Sequence, residues 1–484
     1  MLTYQEFQTA VANGRGVAFI GEAIAKHIGS AEYKLAVTAD EYDAQRNVTI
    51  NQAARYIYSL NGSKTMDFTA SNNRIASNFF HRLNNQRCTY SLGNGLTFDV
   101  EGVKEKLGDK FDTDLFVLAG YALKHGVSFG FWAYDRLHVF PLTEFVPLWD
   151  EEDGTLRAGI RFWCLDWARK PVYAVLYEED GYTKLRTRDG ETGLELRVTE
   201  EKRAYRYTVA HTDAGGDEII GENNYSSLPI VPLYPNRMKQ STLVGMRASI
   251  DAFDLISSGF CNDVIDTAQI FWIMGNAMGM DDADVQRFMD RLRLTHIAVA
   301  DTNNTSITPY TQEPPYAARE ALLDRISATI YRDFGAFNPE DVAAGNVTAT
   351  QINAAYQAMD EEADAFEYQI IEFVQQILAL QGLEGTPQFK RNKISNLSEQ
   401  VQMVMMEANY LDDRTVLELL PNITVDKIDQ ILANRDLAEY NLSETTPEDN
   451  EDIDETLSEY EDDGEVDSML FDLEKQLDGL FGGE

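Results

Sequence analysis

The chain has 484 residues, 44% of them hydrophobic, and a formal net charge of −39, which allows sizeable cores and about two to four domains. Its acidity argues against a tight grip on nucleic acid, because affinity for phosphates comes mostly from Lys and Arg. Three widely spaced cysteines (Cys88, Cys164, Cys261), none in a CxxC pair, argue against a disulfide framework or a thiolate zinc site.

The N-terminus, MLTYQEFQTA, lacks the basic and apolar regions of a signal peptide, and no apolar run reaches the length of a membrane span. A soluble chain made inside the cell is expected. Short helices are predicted at 19–28 and 33–46. Another is predicted at 73–84, where Ile75, Phe79, Phe80 and Leu83 make one stripe. Gly93-Asn94-Gly95 reads as a turn before a short strand at 96–98, and residues 113–126 as an apolar helix ending on Gly126. From 127 to about 209 the pattern turns to β. Aromatic and β-branched segments are split by turns such as Asp153-Gly154 and Asp180-Gly181, which predicts a meander of hairpins and excludes alternating βαβ units.

Pro229, Pro232 and Pro235 keep 228–236 extended. A long helix is predicted at 241–275, with Ile250, Phe253, Ser257, Phe260, Val264, Ala268 and Phe271 as its stripe and Asp251, Asp254, Asp263 and Asp266 mostly on other faces. Residues 276–315 read as an insert holding a helix at 281–294 and strand-like pieces up to Pro309. Helices follow at 316–334 and 347–380, separated by a break at 335–346. Short helices are expected at 391–436. From Ser443 onward, 17 acidic residues face one lysine, so disorder is expected there.

Sites of familiar chemistry are scarce. The six histidines are scattered, and no GxSxG, Walker A, HExxH or GxGxxG motif occurs. Asp281, Asp282 and Asp284 suit a helix N-terminus. Asp360, Glu361, Glu362 and Asp364 read as a solvated helix face. Arg287, Arg291 and Arg293 fall on the insert's helix and could dock a partner there, although ordinary surface charge also accounts for them, as it does for Lys390, Arg391 and Lys393. No catalytic residue, cofactor or metal is expected.

The segment LPIVPLYPNRMKQSTLVGMRASIDAFDLISSGFCNDV at 228–264 resembles the portal proteins of long-tailed phages. The shared features are a Pro-rich strand ending in Asn236, then Ile250-Asp251-Ala252-Phe253-Asp254, Ser257-Ser258 and Asn262-Asp263. Residues 73–98 and 127–163 are similar to the family's first helix with its Gly turn and to its β hairpins. Many relatives carry Ser-Gly-Ala before the last long helix, where this chain has Ala343-Ala344-Gly345-Asn346.

The resemblance implies an α+β portal fold. Its parts are a wing (1–237), a first stem helix (238–275), a clip (276–315), a second stem helix (316–334), a tunnel loop (335–346), a long wing helix (347–385), a crown (386–440) and an acidic tail (441–484). It further implies a ring, usually a homododecamer, at one capsid vertex of the virion, assembled in the host cytoplasm. Viral double-stranded DNA would be packaged and ejected through it. The terminase large subunit would dock on the clip, followed by head-completion or adaptor proteins at this head–tail connector; major capsid and scaffold proteins are further partners. Candidate channel residues are Gly335, Asn338, Glu340, Asp341 and Asn346, with Asp251, Asp254, Asp263 and Asp266 lining the stem or pairing with a neighbouring copy. Two other readings stand beside this one: an acidic scaffold or DNA-mimicking interaction protein, and a nuclease whose carboxylates bind a metal.

Overall fold

The computed structural model describes residues 2–58, 63–67, 71–164, 171–188, 194–211, 217–267, 271–275, 283, 286–287, 306–310, 316–342 and 349–393. Beyond residue 400 it describes 401, 404–406, 408, 410–420, 428 and 431–432. The chain divides into two compact units, Met1–Ile394 and Ser395–Glu484. In the second, a short helix, Asp413–Leu419, is capped by Asp412, whose carboxylate accepts from Thr415 N.

The first unit opens with helices α1 (Tyr4–Ala12), α2 (Gly16–Ile28), α3 (Ala31–Asp43) and α4 (Val48–Gln52). A hairpin follows, β1 (Tyr56–Tyr58) with β2 (Lys64–Met66). Next comes α5, which spans Phe79–Leu92. The predicted helix at 73–84 is therefore displaced: residues 73–78 are neither helix nor strand, and the helix begins only at Phe79. After β3 (Leu96–Phe98) and α6 (Val103–Leu107), the apolar α7 (Phe111–His125) ends at Gly126 as expected.

The β region is a meander. Strands β6 (Phe145–Trp149), β7 (Leu156–Cys164), β8 (Val172–Glu178), β9 (Gly181–Arg186) and β10 (Arg197–Arg203) pair antiparallel in chain order. A second sheet joins β4 (Ser128–Ala133) to β5 (Arg136–Pro141) on one side and to β13 (Ile230–Leu233), the Pro-bounded strand, on the other. Strands β11 (Arg206–His211) and β12 (Asp217–Asn223) form a separate hairpin.

Helix α8 covers Leu243–Thr267, 25 residues. The expectation that it reaches Gly275 fails. Phe271–Gly275 is strand β14, paired antiparallel with β15, Ser306–Tyr310. Phe271 matches the helical spacing, but Phe271-Trp272-Ile273 is an aromatic and β-branched run with a strand partner. The return helix, Tyr316–Phe334, packs antiparallel on α8. Leu243, Met246 and Ile250 meet Ile330 and Phe334 at one end, and Phe260 meets Tyr316 at 5.6 Å at the other.

The long helix, Ala349–Gln381, has 33 residues, about 50 Å at 1.5 Å per residue. Phe366, Ile370, Phe373, Val374 and Ile377 recur at helical spacing and are fully or almost fully buried; each such side chain contributes about 2 kcal/mol. They join α7, β4 and β13 in the largest core. Gly130 of β4 admits Phe373: a Cβ at Gly130 would lie 2.5 Å from Phe373 Cζ. Strand β16 (Pro387–Phe389) then pairs with β3, returning the chain to the Gly93–Gly95 turn. Among the described residues no helix is long and apolar enough to cross a membrane.

Candidate functional site

The segment after the return helix starts from a fixed geometry. Ala336 N donates to Tyr331 O (2.9 Å) and Gly335 N to Arg332 O (3.1 Å), the double bond of a Schellman cap. Gly335 has φ +65°, and a Cβ there would lie 2.7 Å from Glu362 Cγ on the long helix. Phe337 is buried and stacks on Tyr356 at 4.3 Å; Tyr356 stacks on Tyr90 at 5.8 Å. Gln86 Nε2 donates to Phe337 O at 2.9 Å.

Buried Arg87 donates to Phe334 O, lies 4.1 Å from the Phe334 ring and pairs with Glu362 at 3.2 Å. Burial pushes its pKa down, and Glu362 opposes that. Asn338 accepts from Glu340 N at 3.3 Å, and Glu340 is exposed. Pro339–Val342 make a short 3-10 turn. The side chain of Asp341 and all of Asn346 lie outside the described residues. A cleft of about 580 Å³ opens beside this segment, lined by Arg82, Gln86, Tyr331, Phe337 and Met359 among others.

The carboxylates of α8 do not form a shared exposed face. Asp254 is fully buried; it accepts from Ser77 N at 2.9 Å and from Asn47 Nδ2. Burial raises its pKa, against those hydrogen bonds. Asp251 accepts from Tyr42 Oη and from Thr49 Oγ1 (2.8 Å). Asp263 pairs with Arg55 at 3.1 Å and with Arg319. The side chain of Asp266 lies outside the described residues. The buried face of α8 is Leu243, Met246, Ile250, Asp254, Ser258 and Asn262. It turns polar halfway along and sits one residue away from the expected stripe. Asp254 is thus withdrawn from any channel-facing set, because its carboxylate points into the N-terminal body.

The acidic face expected on the long helix is also engaged. Arg391 pairs with Asp360 (3.0 Å), Glu367 (2.8 Å) and Asp364, and Lys393 Nζ lies 2.7 Å from Asp360. Tyr90 Oη donates to the same Asp360 carboxylate at 2.5 Å. The hydrogen bonds that Arg391 donates to Glu367, followed by the one to Asp364, push its pKa up. The reading of Asp360 as solvated, and of Arg391 as ordinary surface charge, is corrected: the two sets neutralise each other across the fold.

Of the insert's arginines, Arg287 is helical and exposed and donates to Ala283 O at 3.3 Å. Arg291, Arg293 and nearly all of the predicted 281–294 helix lie outside the described residues.

One cluster gave no signal in the sequence. Lys124 sits 2.9 Å from Asp43 and 3.5 Å from Asp40, His125 lies 2.9 Å from Asp40, and His81 lies 3.0 Å from Asp43. These residues come from α3, α5 and α7, so only the fold unites them. Among the described residues no group of three or more His, Cys, Asp and Glu could hold a metal ion.

A sequence model of the family described as "Phage portal protein, SPP1 Gp6-like" matches residues 36–439. The portal protein of Clostridium phage phiCD119 is 21% identical over 420 residues, covering 78% of this chain and 90% of that protein. The portal protein of Bacillus phage SPP1 is 23% identical over 388 residues, covering 74% of each. Among solved structures, the neck of a native gene transfer agent particle, with C12 symmetry, matches with a TM-score of 0.44 and 12% identity, over 72% of this chain and 91% of that one. With most of its length matched by the family's sequence model, the chain belongs to the phage portal proteins of the SPP1 Gp6-like family, structural components of the virion and not enzymes.

Proposed function

We propose that this chain is the subunit of a ring, of twelve copies, through which viral double-stranded DNA is packaged and later ejected. The observation that carries the reading is the family match over residues 36–439. It is supported by an antiparallel helix pair, α8 and the return helix, whose far ends lead into the paired strands β14 and β15 that flank the insert. In this reading the pair is the stem and residues 276–315 are the clip, which meets the terminase motor and later the head-completion proteins. The body up to 237, with the long helix, is the wing; the segment from 386 is the crown.

Residues 335–346 would enter the channel as a tunnel loop. Their first half is clamped by Phe337, Arg87 and Gln86, which leaves exposed Glu340 as the candidate for the moving polyanion to pass. A net charge of −39 suits a conduit that must not hold DNA: like charge keeps the polymer sliding. Asp251 and Asp263 are engaged within the chain, so contacts between copies would fall to other groups on the stem.

Negative-stain microscopy and mass measurement of the purified chain should show a ring. A stable monomer that binds a DNA-binding enzyme tightly would favour the scaffold or DNA-mimic reading instead, and divalent-dependent DNA cleavage the nuclease reading. Replacing residues 338–346 with a Gly/Ser segment should impair DNA retention while leaving the ring intact; normal packaging would remove the loop from the mechanism.

A further inference from the structure

The segment 73–77, just before α5, is bound to α8 through its backbone. Asn262 Oδ1 accepts from Asn73 N (2.7 Å), and Asn262 Nδ2 donates to Asn73 O (3.1 Å). Ser258 Oγ accepts from Ile75 N (2.9 Å) and donates to Ile75 O (3.4 Å). Asp254 Oδ1 accepts from Ser77 N (2.9 Å), and Asn47 Nδ2 donates to Ser77 O (3.1 Å). At each alternate residue both backbone groups are therefore satisfied by side chains, as a neighbouring strand would satisfy them.

The spacing explains why this works. Four helical residues rise about 6.0 Å, and two extended residues about 6.6 Å. A polar stripe at every fourth residue of a helix can therefore read every second residue of a strand, with a mismatch that grows by about 0.6 Å per rung.

The two ends of this ladder differ. At Ser77 the rung is made by two groups, Asp254 and Asn47, exposed by 0% and 1%, and the chain continues directly into α5 in the core. At Asn73 the rung is made by one α8 residue, Asn262, which also accepts from Asn73 Nδ2 (2.9 Å), Arg74 donates to Asn51 O, the residues at 72–75 are exposed, and the chain leads away toward the β1–β2 hairpin. We propose that residues 73–78 are a latch that opens in order from Asn73 toward Ser77, with Asp254 as its post. Opening would free the strap from the far half of α8, which stays tied to the N-terminal body through Arg55 and Asp263 (3.1 Å), while the near half stays packed on the return helix. Each opened rung leaves a buried polar group on α8 unpaired, so the open forms are rare and reclose.

Residue-resolved amide hydrogen exchange on the full chain tests the order. Protection should rise from Asn73 through Ile75 to Ser77. In ordered opening a rung closes off every rung behind it. Asn262→Ala should therefore speed exchange at all three amides, by about tenfold or more. Ser258→Ala should speed Ile75 and Ser77 and leave Asn73 within twofold. If Ser258→Ala speeds Asn73 as much as Ile75, the strap opens as one unit and the proposal fails. If Asn262→Ala changes Asn73 alone, the rungs are independent and it fails equally. Unchanged exchange in α7 and an unchanged circular dichroism spectrum confirm that each variant is folded. Should Asn262→Ala not fold, the behaviour of Asn73 in Ser258→Ala decides.

Discussion

Replacing Gly335 tests whether the segment after the return helix is set by its entry angle. Alanine at φ +65° costs about 1–2 kcal/mol in backbone strain alone. Its Cβ would also meet Glu362 Cγ at 2.7 Å and Ala358 O at 3.3 Å. Ala358 O belongs to the long helix and cannot yield. Glu362 can swing away, but it carries the ion pair to Arg87, whose side chain is only 9% exposed. Loosening that pair adds about 1 kcal/mol, a low figure because Glu362 itself is half exposed. Gly335→Ala should therefore destabilise by about 2–3 kcal/mol. Asparagine tolerates the left-handed region better but brings the same Cβ, so Gly335→Asn should fall between alanine and wild type. Urea unfolding of the three proteins, followed by tryptophan fluorescence and circular dichroism, gives the order. An alanine variant within 0.5 kcal/mol of wild type, or an asparagine variant less stable than alanine, would refute the reasoning.

Four further outcomes are expected. Arg391→Met leaves Asp364 and Glu367 without their cation and Asp360 with the Lys393 cation alone, and should cost about 2–3 kcal/mol, discounted from a fully buried network because Asp364 is exposed. Burial acts to raise the Asp360 pKa, but bonds from Lys393, Tyr90 and Arg391 outweigh it and hold the pKa below 3.8. Its contribution is thus present above pH 3.8 and lost as pH falls through the folded value, and an acid titration of Asp360→Asn should lack that part of the loss. Burial holds His27 below 6.5, opposed by its bond to Leu142 O. The protein should lose stability as pH drops from 6.5 toward that lower value, and His27→Gln should flatten the slope between pH 7.5 and 5.5; equal slopes would contradict this. Gly130→Ala should cost about 1–3 kcal/mol through the Phe373 ring, and Phe373→Leu in the same chain should recover part of it; additive losses would show that the two do not touch.

The helices and the β meander were legible where one periodicity ran unopposed. The return helix, predicted at 316–334, is found at Tyr316–Phe334. Failures came where a partner distant in sequence overrode local pattern. Ile75 fits the helical stripe, yet its backbone is claimed by Ser258, 183 residues away. Asp254 was placed off the apolar stripe, to line the stem or pair with a neighbouring copy, and Ser258 and Asn262 entered through the family resemblance. Their regular spacing of four was a signal of a strap. Arg391 and the carboxylates it binds lie 24 to 31 residues apart, and nothing in either stretch names the other. The segment at 335–346 was placed by its glycine, but its anchors, Phe337 and Arg87, needed the fold to be seen.

The apolar packing of α8 against the return helix sits at one end, around Met246, Ile250, Ile330 and Phe334. Toward the other end the contacts thin to Phe260 on Tyr316 and Asp263 on Arg319, all partly exposed. Mechanically this is a lever with its fulcrum in the core. A helix of 25 residues spans about 37 Å, so a tilt of only about 5° at the fulcrum would sweep its tip by about 3 Å. Added to a hydrogen bond of about 3 Å, a displacement of that size breaks it, so a tilt that small at the core is enough to break hydrogen bonds at the tip.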